Sequence, residues 1–378
     1  MMQYVNTESA LLEAAERIGS ATLFAADTEA AGFHRFRDRI CLLQISTREE
    51  TFVLDTLALD RLQPLEAGFA SPDVEVVFHD AEYDLRLLAR DLGISVRGLF
   101  DTKVAAQFLG EPAIGLASLL ERHLGVHLEK KYQRADWAQR PLSAPLLEYA
   151  AMDTRYLPAL RDILRDALEA RDRLRWAEEE FRLHEVVEAN AGEAPAEEAY
   201  LRVKGTRDLR PRQLAALREL FQWREEIGRI RDVAAFRIAS NEALVELARH
   251  LPDSVRAAMA LPTVPNSLVA KHGSELLERI RRARALPESE LPQRRVSGSR
   301  RLPDPEFEAL VDRLKAARDE AARETGLDRG FLLPCHQLEE IARHRPASME
   351  DLTRVPGIRR WQVEAAGERI LDVLGRAP

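Results

Sequence analysis

An internal repeat in the second half of the chain restricts the fold more than any other feature. The sequence ELARHLP, which begins at Glu246, recurs as EIARHRP from Glu340, an offset of 94 residues. The same offset relates Gly273 to Gly367. Both copies show helical periodicity interrupted by proline, and neither contains a strand pattern. The sequence therefore predicts two copies of one helical module placed behind a different N-terminal domain.

The N-terminal part has the pattern of a mixed α/β domain. Residues 21–56 contain three apolar or β-branched segments, ATLFAADTE, RICLLQIS and TFVLD, which are separated by polar turns. VEVVFH at 74–79 is a fourth such segment, and helical patterns begin at Asp84, Leu116 and Leu146. The fold class predicted for the whole chain is α/β, with one mixed-sheet domain followed by two all-α domains.

Length and composition shifts predict where these domains begin and end. A chain of 378 residues is long enough for two to three domains of roughly 150 residues each. We expect an α/β domain over 1–187, a linker over 188–204, a first helical domain over 205–287, a linker over 288–302, and a second, more divergent helical domain over 303–378.

Charge is distributed unevenly along the chain. The formal net charge of the whole sequence is −8, but residues 1–200 carry −14 and residues 201–300 carry +8. The basic segment predicts contact with a polyanion, while the acidic segment predicts carboxylate chemistry. Ordinary solvated faces explain an excess of eight charges equally well, so charge alone leaves both interpretations open.

Several classes of protein are disfavoured by the sequence. Cys41 and Cys335 have no partners at metal-ligand spacing, so we expect inert thiols without a disulfide framework or a cysteine zinc site. No apolar run approaches the roughly 20 residues that span a bilayer, and the N-terminus lacks the layout of a signal peptide. We expect a cytoplasmic protein with no membrane partner.

Five residues in three motifs are candidates for chemistry. Asp27 and Glu29 end an apolar strand, and the period of two places both carboxylates on one face of the sheet. Asp84 follows a strand-to-helix junction, and Tyr149 and Asp153 share one helix face at a spacing of four. Each motif alone is more often structural. Two like charges on one face nevertheless favour a divalent cation with oxygen ligands.

Taken together, the motifs resemble the DEDDy 3′–5′ exonucleases, and among them the ribonuclease D family. The resemblance rests on DTEAAGFHRFRDRICLLQIS around the first motif, FHDAEYDLRLL around the second and RADWAQRPLSAPLLEYAAMDTRYL around the third. It covers residues 1 to about 170. The helical repeats resemble HRDC domains, two of which in tandem are typical of ribonuclease D. The resemblance implies a ribonuclease H-like mixed sheet with ATLFAADTE as a central strand.

The resemblance also implies a role for each motif residue. Asp27, Glu29 and Asp153 would hold the metal ion that carries the attacking water. Asp27 would bridge to a second metal that Asp84 supports, and Tyr149 would orient the water and help to deprotonate it. The expected cofactors are two divalent cations, Mg²⁺ or Mn²⁺. The expected products are nucleoside 5′-monophosphates.

The implied substrate is RNA with a free 3′ end, such as a transfer RNA precursor, and no obligate protein partner is indicated. His79, Trp137 and Arg140 are candidates for contact with it, although each fits a packing role as well. The loop after the first motif is more basic than is usual in the family, and its charges either contact phosphate or are simply solvated. These basic residues are Arg35, Arg37 and Arg39.

Two other functions fit the same sequence less well. A 3′–5′ DNA exonuclease would keep the chemistry and change the substrate, but no P-loop of a helicase motor accompanies the motifs. A non-catalytic nucleic-acid scaffold would keep the fold and lose an acid. All five expected catalytic residues are present, which favours the exoribonuclease.

Overall fold

The N-terminal domain is built on one six-stranded sheet. The structure, a computed structural model, describes residues 2–129, 131–186, 198–292 and 304–375. The strands are β1 (Met2–Val5), β2 (Leu23–Ala30), β3 (Ile40–Ser46), β4 (Thr51–Asp55), β5 (Glu75–Phe78) and β6 (Leu99–Asp101).

The strand order is β1-β4-β3-β2-β5-β6. β2 pairs antiparallel with β3 and parallel with β5, so the mixed sheet expected from the sequence is present and β2 lies in its interior. Four of the six strands match the predicted segments. The two missed strands, β1 and β6, have four and three residues and lie at the two edges of the sheet, where the periodic signal is too short to detect.

Eight helices follow or cover the sheet. They are α1 (Glu8–Gly19), α2 (Gln63–Ala70), α3 (Glu82–Leu87), α4 (Thr102–Leu109), α5 (Leu116–Leu124), α6 (Ala144–Arg155), α7 (Leu157–Ala170) and α8 (Leu174–Glu185), with a π-helical turn at Leu88–Leu92. α6 lies against β2, β3 and β4, where Ala150 and Ala151 are fully buried. The small alanine side chains let the helix approach the sheet closely, which brings its polar residues to the end of β2.

The helical region consists of two copies with matching elements. The first contains α9 (Pro211–Arg231), α10 (Ala235–Ile238), α11 (Asn241–His250), α12 (Val255–Met259) and α13 (Asn266–Ala285). The second contains α14 (Pro305–Thr325), α15 (Arg329–Leu332), α16 (Cys335–His344), α17 (Met349–Thr353) and α18 (Arg360–Gly375). Helices α11 and α16 coincide at the offset found in the sequence, so the repeat reflects a repeated fold.

The two copies also share a buried arginine and a glycine at a helix–helix contact. Arg224 and Arg318 are each 5 % exposed, and each donates to a backbone carbonyl of its own copy, at Ala239 and Leu333. A buried guanidinium needs such acceptors because an unpaired charge is costly to bury. Glycine recurs where two helices touch, since a Cβ at Gly273 or Gly367 would crowd the short helix packed against it.

The two copies contact the N-terminal domain differently. Residues of the second copy belong to the same hydrophobic core as the sheet domain, whereas the first copy has a core of its own. That separate core includes Tyr200, so it begins inside the segment predicted as a linker over 188–204. The rest of that segment up to 197, and the part of the second predicted linker from 293, lie outside the described residues. The domain boundaries therefore stay predictions.

In the described parts of the chain, no helix combines the length and the apolar character needed to cross a bilayer.

Candidate active site

Three carboxylates meet where β2 ends beneath α6. Asp27 and Glu29 come from β2 and Asp153 from α6, and their ligand oxygens all lie within 4.8 Å of one another. Asp27 pairs with Gln44 across the sheet and Glu29 with Leu42, so the two acids occupy the same face, as the strand period predicts. The cluster combines residues that are more than 120 positions apart in sequence.

Burial raises the pKa of all three carboxyls, and repulsion by neighbouring acids adds to it for Asp27 and Glu29. Desolvation and the nearby charge of Asp153 raise the pKa of Asp27 to about 8. Desolvation raises the pKa of Asp153 to about 7, and desolvation with the neighbouring acids raises the pKa of Glu29 well above its usual range. Three buried like charges are unfavourable unless protons or a cation neutralise them. The cluster is therefore suited to binding a cation.

Asp84 lies beside this cluster and is held by β2 itself. It stands in the first turn of α3, is 7 % exposed and accepts a hydrogen bond from the Thr28 hydroxyl. Burial and the charge of Asp27 raise its pKa well above the usual range. Thr28 therefore positions the fourth acid while its sequence neighbours Asp27 and Glu29 supply two others. Nothing in the sequence singles out Thr28, because an isolated threonine in a strand carries no signal.

Tyr149 lies one helical turn before Asp153 and is fixed by two aromatic rings. Its ring stacks on Trp137, with centroids 6.1 Å apart and an interplanar angle of 27°, and meets Tyr132 edge to face at 5.7 Å. Burial and the charges of Asp153, Glu29 and Asp27 raise the pKa of its phenol. The phenol is thus a proton donor at neutral pH in the absence of a cation, and its orientation is set by packing.

A cavity of about 380 Å³ opens over these residues. The acids Asp27, Glu29 and Asp153 line it together with Tyr149. His79, predicted as a substrate contact, also lines the cavity. Its Nδ1 shares a hydrogen bond with the Thr102 hydroxyl at 2.9 Å, and burial lowers its pKa, so the ring is a neutral group facing the site. Residues missed by the sequence analysis complete the wall, namely Gly115, Leu116, Ala117, Ser118, Leu128, Glu129, Gln133 and Leu157.

Comparison with known proteins decides the family. Residues 2–169 match the sequence profile described as 3′–5′ exonuclease, and residues 213–280 and 307–374 match that of the HRDC domain. Ribonuclease D of Pseudomonas paraeruginosa is 30% identical over 100% of this chain and 98% of its own length. Ribonuclease D of Escherichia coli is 32% identical over 77% of each protein. The chain belongs to the ribonuclease D family.

A solved structure supports the same assignment. Escherichia coli RNase D, described as an exoribonuclease involved in structured RNA processing, matches over 100% of both chains with a TM-score of 0.73 and 27% identity. The fold class predicted from the sequence, a mixed-sheet exonuclease domain followed by two HRDC domains, is thus confirmed. The predicted activity of a 3′–5′ exoribonuclease is confirmed at the level of the ribonuclease D family.

The carboxylate cluster has the chemistry of the divalent metal site expected in this family. It offers oxygen ligands alone, the donor set preferred by hard cations such as Mg²⁺ and Mn²⁺. In the described part of the chain no Lys or Arg side chain pairs with these carboxylates, so their oxygens lack a compensating charge within the protein. The residues therefore fit a divalent cation.

Two residues predicted to contact substrate are packing residues instead. Trp137 is 2 % exposed, so its ring has no face open to a base. Arg140 forms a bidentate pair with the buried Asp55, with both distances 2.7 Å, and donates to the carbonyls of Trp137 and Cys41. Together they hold the loop before α6 on the sheet. Sequence alone does not distinguish these roles, because an aromatic residue and an arginine near a motif suit both.

The three arginines of the loop after the first motif also differ from one another. Arg35 pairs with Asp136 at 2.8 Å and lies 3.7 Å from Asp232 of the first HRDC domain. Arg37 and Arg39 are exposed, and neither forms an ion pair with any described residue. Arg35 thus links the loop to two other segments, while the charges of Arg37 and Arg39 face solvent.

Gln44 occupies the position across the sheet from Asp27 and is not singled out by any motif in the sequence. It is fully buried in β3 opposite Asp27, and neither its Oε1 nor its Nε2 has a hydrogen-bond partner among the described residues. An unsatisfied buried amide costs about 1–3 kcal/mol. A polar group retained at that cost beside the carboxylates is typical of a functional site. The signal in the sequence is a glutamine inside the apolar run CLLQIS.

Proposed function

We propose that this chain shortens RNA from a free 3′ hydroxyl and releases nucleoside 5′-monophosphates, using Asp27, Glu29, Asp84, Tyr149 and Asp153. The observation that carries the proposal is the convergence of three carboxylates, from two distant segments, at the floor of an open cavity. Membership of the ribonuclease D family supports the reaction type. The fourth acid and the tyrosine adjoin this cluster, which supports assigning them to the same site.

Two divalent cations, Mg²⁺ or Mn²⁺, would complete the site. We infer that Asp27, Glu29 and Asp153 hold one of them and that Asp27 and Asp84 support the other. Such a pair supplies an activated water and stabilises the departing 3′ oxygen of a phosphodiester. The protein's contribution is a rigid set of oxygen ligands, because β2 and α6 fix the carboxylates through their packing against each other.

Tyr149 orients the attacking water in this proposal. Its ring is held between Trp137 and Tyr132, so the phenol oxygen has little freedom of position. Burial and then the neighbouring acids raise the pKa of the phenol, which keeps its proton in place and makes it a hydrogen-bond donor to an oxygen in the cavity. His79, neutral and facing the same cavity, is placed to form a hydrogen bond with the bound nucleotide.

Transfer RNA precursors and other structured RNAs with single-stranded 3′ ends are the proposed substrates. The solved relative is described as acting in structured RNA processing, which supports this class. The net charge of +8 over residues 201–300 also supports it, because a basic surface attracts the phosphate backbone. The cytoplasmic location expected from the sequence remains a prediction.

The test is degradation of a 5′-labelled RNA with a single-stranded 3′ end in Mn²⁺, Mg²⁺ or EDTA, beside DNA of the same sequence. We expect a ladder that shortens from the 3′ end of RNA with either metal and no shortening in EDTA. Equal activity on DNA would replace the proposal with a DNA exonuclease. Binding without shortening would leave only the non-catalytic scaffold.

Three variants assign the chemistry to the site. Asp153→Asn should lower turnover by at least about 10³-fold because the ligand set loses a charge, while RNA binding persists. Tyr149→Phe should lower turnover by about 10- to 100-fold without changing the thermal midpoint by more than a few degrees. Asp166→Asn, at an exposed position of α7, is the matched control and should retain full activity.

A further inference from the structure

Four exposed arginines lie where the first HRDC domain meets the loop after β2. Arg37 belongs to that loop, Arg134 to the segment before α6, and Arg229 and Arg237 to α9 and α10 of the first HRDC domain. In the parts of the chain that the structure describes, none of the four forms an ion pair. The guanidinium of Arg229 lies 5.5 Å from the ring centre of Phe36 in that loop, so unpaired cations of both domains meet at one boundary.

Aromatic rings are interleaved with these cations. Phe33 and Phe236 approach with ring centroids 5.5 Å apart, yet they remain 37% and 50% exposed. The guanidinium of Arg237 lies 4.9 Å from the Phe33 ring centre, and that of Arg134 lies 5.5 Å from it. We call the six residues Phe33, Phe236, Arg37, Arg134, Arg229 and Arg237 the seam.

The seam adjoins the active-site cavity through the chain itself. Phe33 follows the metal-ligand candidate Glu29 by four residues. Gln133 lines the cavity directly before Arg134, and the backbone carbonyl of Arg134 shares a hydrogen bond with the His34 ring at 2.8 Å. An RNA strand that leaves the cavity on this side would therefore reach the seam next.

The composition of the seam points to single-stranded RNA. Aromatic rings and guanidinium planes both stack on unpaired bases, and arginines neutralise the phosphates between them. A contact that serves only to join two domains would bury its rings, as the second HRDC domain does with Trp361 at 1% exposure. We propose that the seam binds the single-stranded segment of RNA that lies 5′ to the nucleotide in the cavity. This inference rests on the proposed exoribonuclease activity.

The first measurement is binding of a fluorescent oligouridylate of about twelve nucleotides to the full-length protein. Phe236→Leu keeps the side-chain volume and removes the ring, so affinity should fall by about 5- to 100-fold, the loss expected for one stacked base. Phe236→Tyr should bind like the unaltered protein. Phe307→Leu removes another ring that lies beneath an arginine, in the second HRDC domain, and should have no effect.

Salt dependence separates stacking from phosphate contact. Arg237→Gln should reduce the slope of log affinity against log salt by about 0.7, the value for one phosphate contact on a single strand. Phe236→Leu should lower affinity without changing that slope. In turnover with Mn²⁺, both variants should raise KM for the oligouridylate and leave kcat, and the hydrolysis of a dinucleotide, within about twofold of the unaltered protein.

Two results would overturn the proposal that the seam binds RNA. Unchanged binding of the oligouridylate by Phe236→Leu and Arg237→Gln would show that these residues do not contact RNA. Equal loss in Phe236→Leu and Phe236→Tyr would assign the ring to packing between domains. These outcomes are distinct from failure of the proposed function, which would appear as absence of RNA shortening by the unaltered protein in the same metal.

Discussion

In the second HRDC domain Trp361 is buried against Phe108 of the exonuclease domain, with ring centroids 4.8 Å apart, whereas the equivalent position of the first domain is the exposed Ser267. Glu179 accepts hydrogen bonds from the backbone of Trp361 at 3.0 Å and of Arg360 at 2.9 Å. The first domain keeps a core separate from that of the sheet domain, and its contacts with the exonuclease domain include the bond from the Phe36 amide to Asp232 at 3.3 Å.

The difference shows which parts of a repeat are free to diverge. Both copies keep the buried arginine at positions 224 and 318, because each interior needs it. Both also point the same helix end at the exonuclease domain, where Asp232 and Gly326 are equivalent positions. The surfaces at that end have diverged. The second copy extends the core of the sheet domain, and the first leaves charge and aromatic surface open beside the active site.

The largest expected effect is loss of the apolar anchor of the second copy. Trp361→Ala should destabilise the protein by about 3–5 kcal/mol, because it removes a large buried side chain. Ser267→Ala, the matched change in the first copy, should stay within about 0.5 kcal/mol. Urea denaturation followed by circular dichroism measures both. Similar losses of unfolding free energy at the two positions would show that the second copy is attached no more firmly than the first.

A smaller loss of stability is expected at Gly110, the glycine of the exonuclease domain that contacts the second copy. Gly110 and Gly125 both end a helix with positive φ, at 70° and 67°. A Cβ on Gly110 would collide with the carbonyl oxygen of Gly326, while Gly125 has nothing within 4 Å. Gly125→Ala should therefore lower the free energy of unfolding by about 1 kcal/mol, because only the backbone is strained. Gly110→Ala should lower it by about 2–3 kcal/mol, because the collision with Gly326 is added. Equal losses in thermal unfolding would show that the second copy does not press on this turn.

The pH dependence of stability should arise in the exonuclease domain and in neither copy. The folded-state pKa of Asp27 is about 8 and that of Asp153 about 7, against about 4 for an unfolded aspartate. Between these values the folded protein holds more protons than the unfolded chain, so in EDTA its stability falls as pH rises from 5 to 8. Asp27→Asn should flatten this fall, and Mn²⁺ should offset it. If the stability of the unaltered protein in EDTA did not change with pH, the raised pKa values of the buried carboxyls would be contradicted.

The smallest expected effect is at the docking contact of the first copy. Asp232→Ala removes the bond to Phe36 and the ion pair with Arg35, both of which are exposed to solvent, and should cost less than about 1 kcal/mol. Thermal unfolding of this variant beside Trp361→Ala tests the asymmetry directly. A loss as large as that of Trp361→Ala would place the first copy in the common core.

The sequence was sufficient for the elements that carry periodic or repeated signals. The interior strands β2 and β3 and the helical repeat are predicted from pattern and spacing. The roles of the five acid and tyrosine positions, which come from motifs and family resemblance, stay predictions. α6 packs against β2, which brings Asp153 next to Asp27 and Glu29. The Thr28 hydroxyl holds Asp84 beside them. The edge strands β1 and β6 were missed, since three or four residues are too few for a period.

Long-range contacts account for what the sequence did not reveal. Whether Arg140 meets a phosphate or Asp55 depends on a pairing across 85 positions, which local pattern does not encode. The burial of Trp137 depends likewise on how α6 packs on the sheet. The unequal attachment of the two copies is set by surface residues such as Trp361 and Ser267, whose partners lie in another domain.

We expect water, positioned by the carboxylate cluster and Tyr149, to cleave the last phosphodiester and to leave the phosphate on the released nucleotide. Mass spectrometry of products formed in ¹⁸O-labelled water with Mn²⁺ tests this expectation. One ¹⁸O atom should appear in the phosphate of each nucleoside 5′-monophosphate, and Asp153→Asn should give no product. Release of 3′-phosphates or 2′,3′-cyclic phosphates would contradict it.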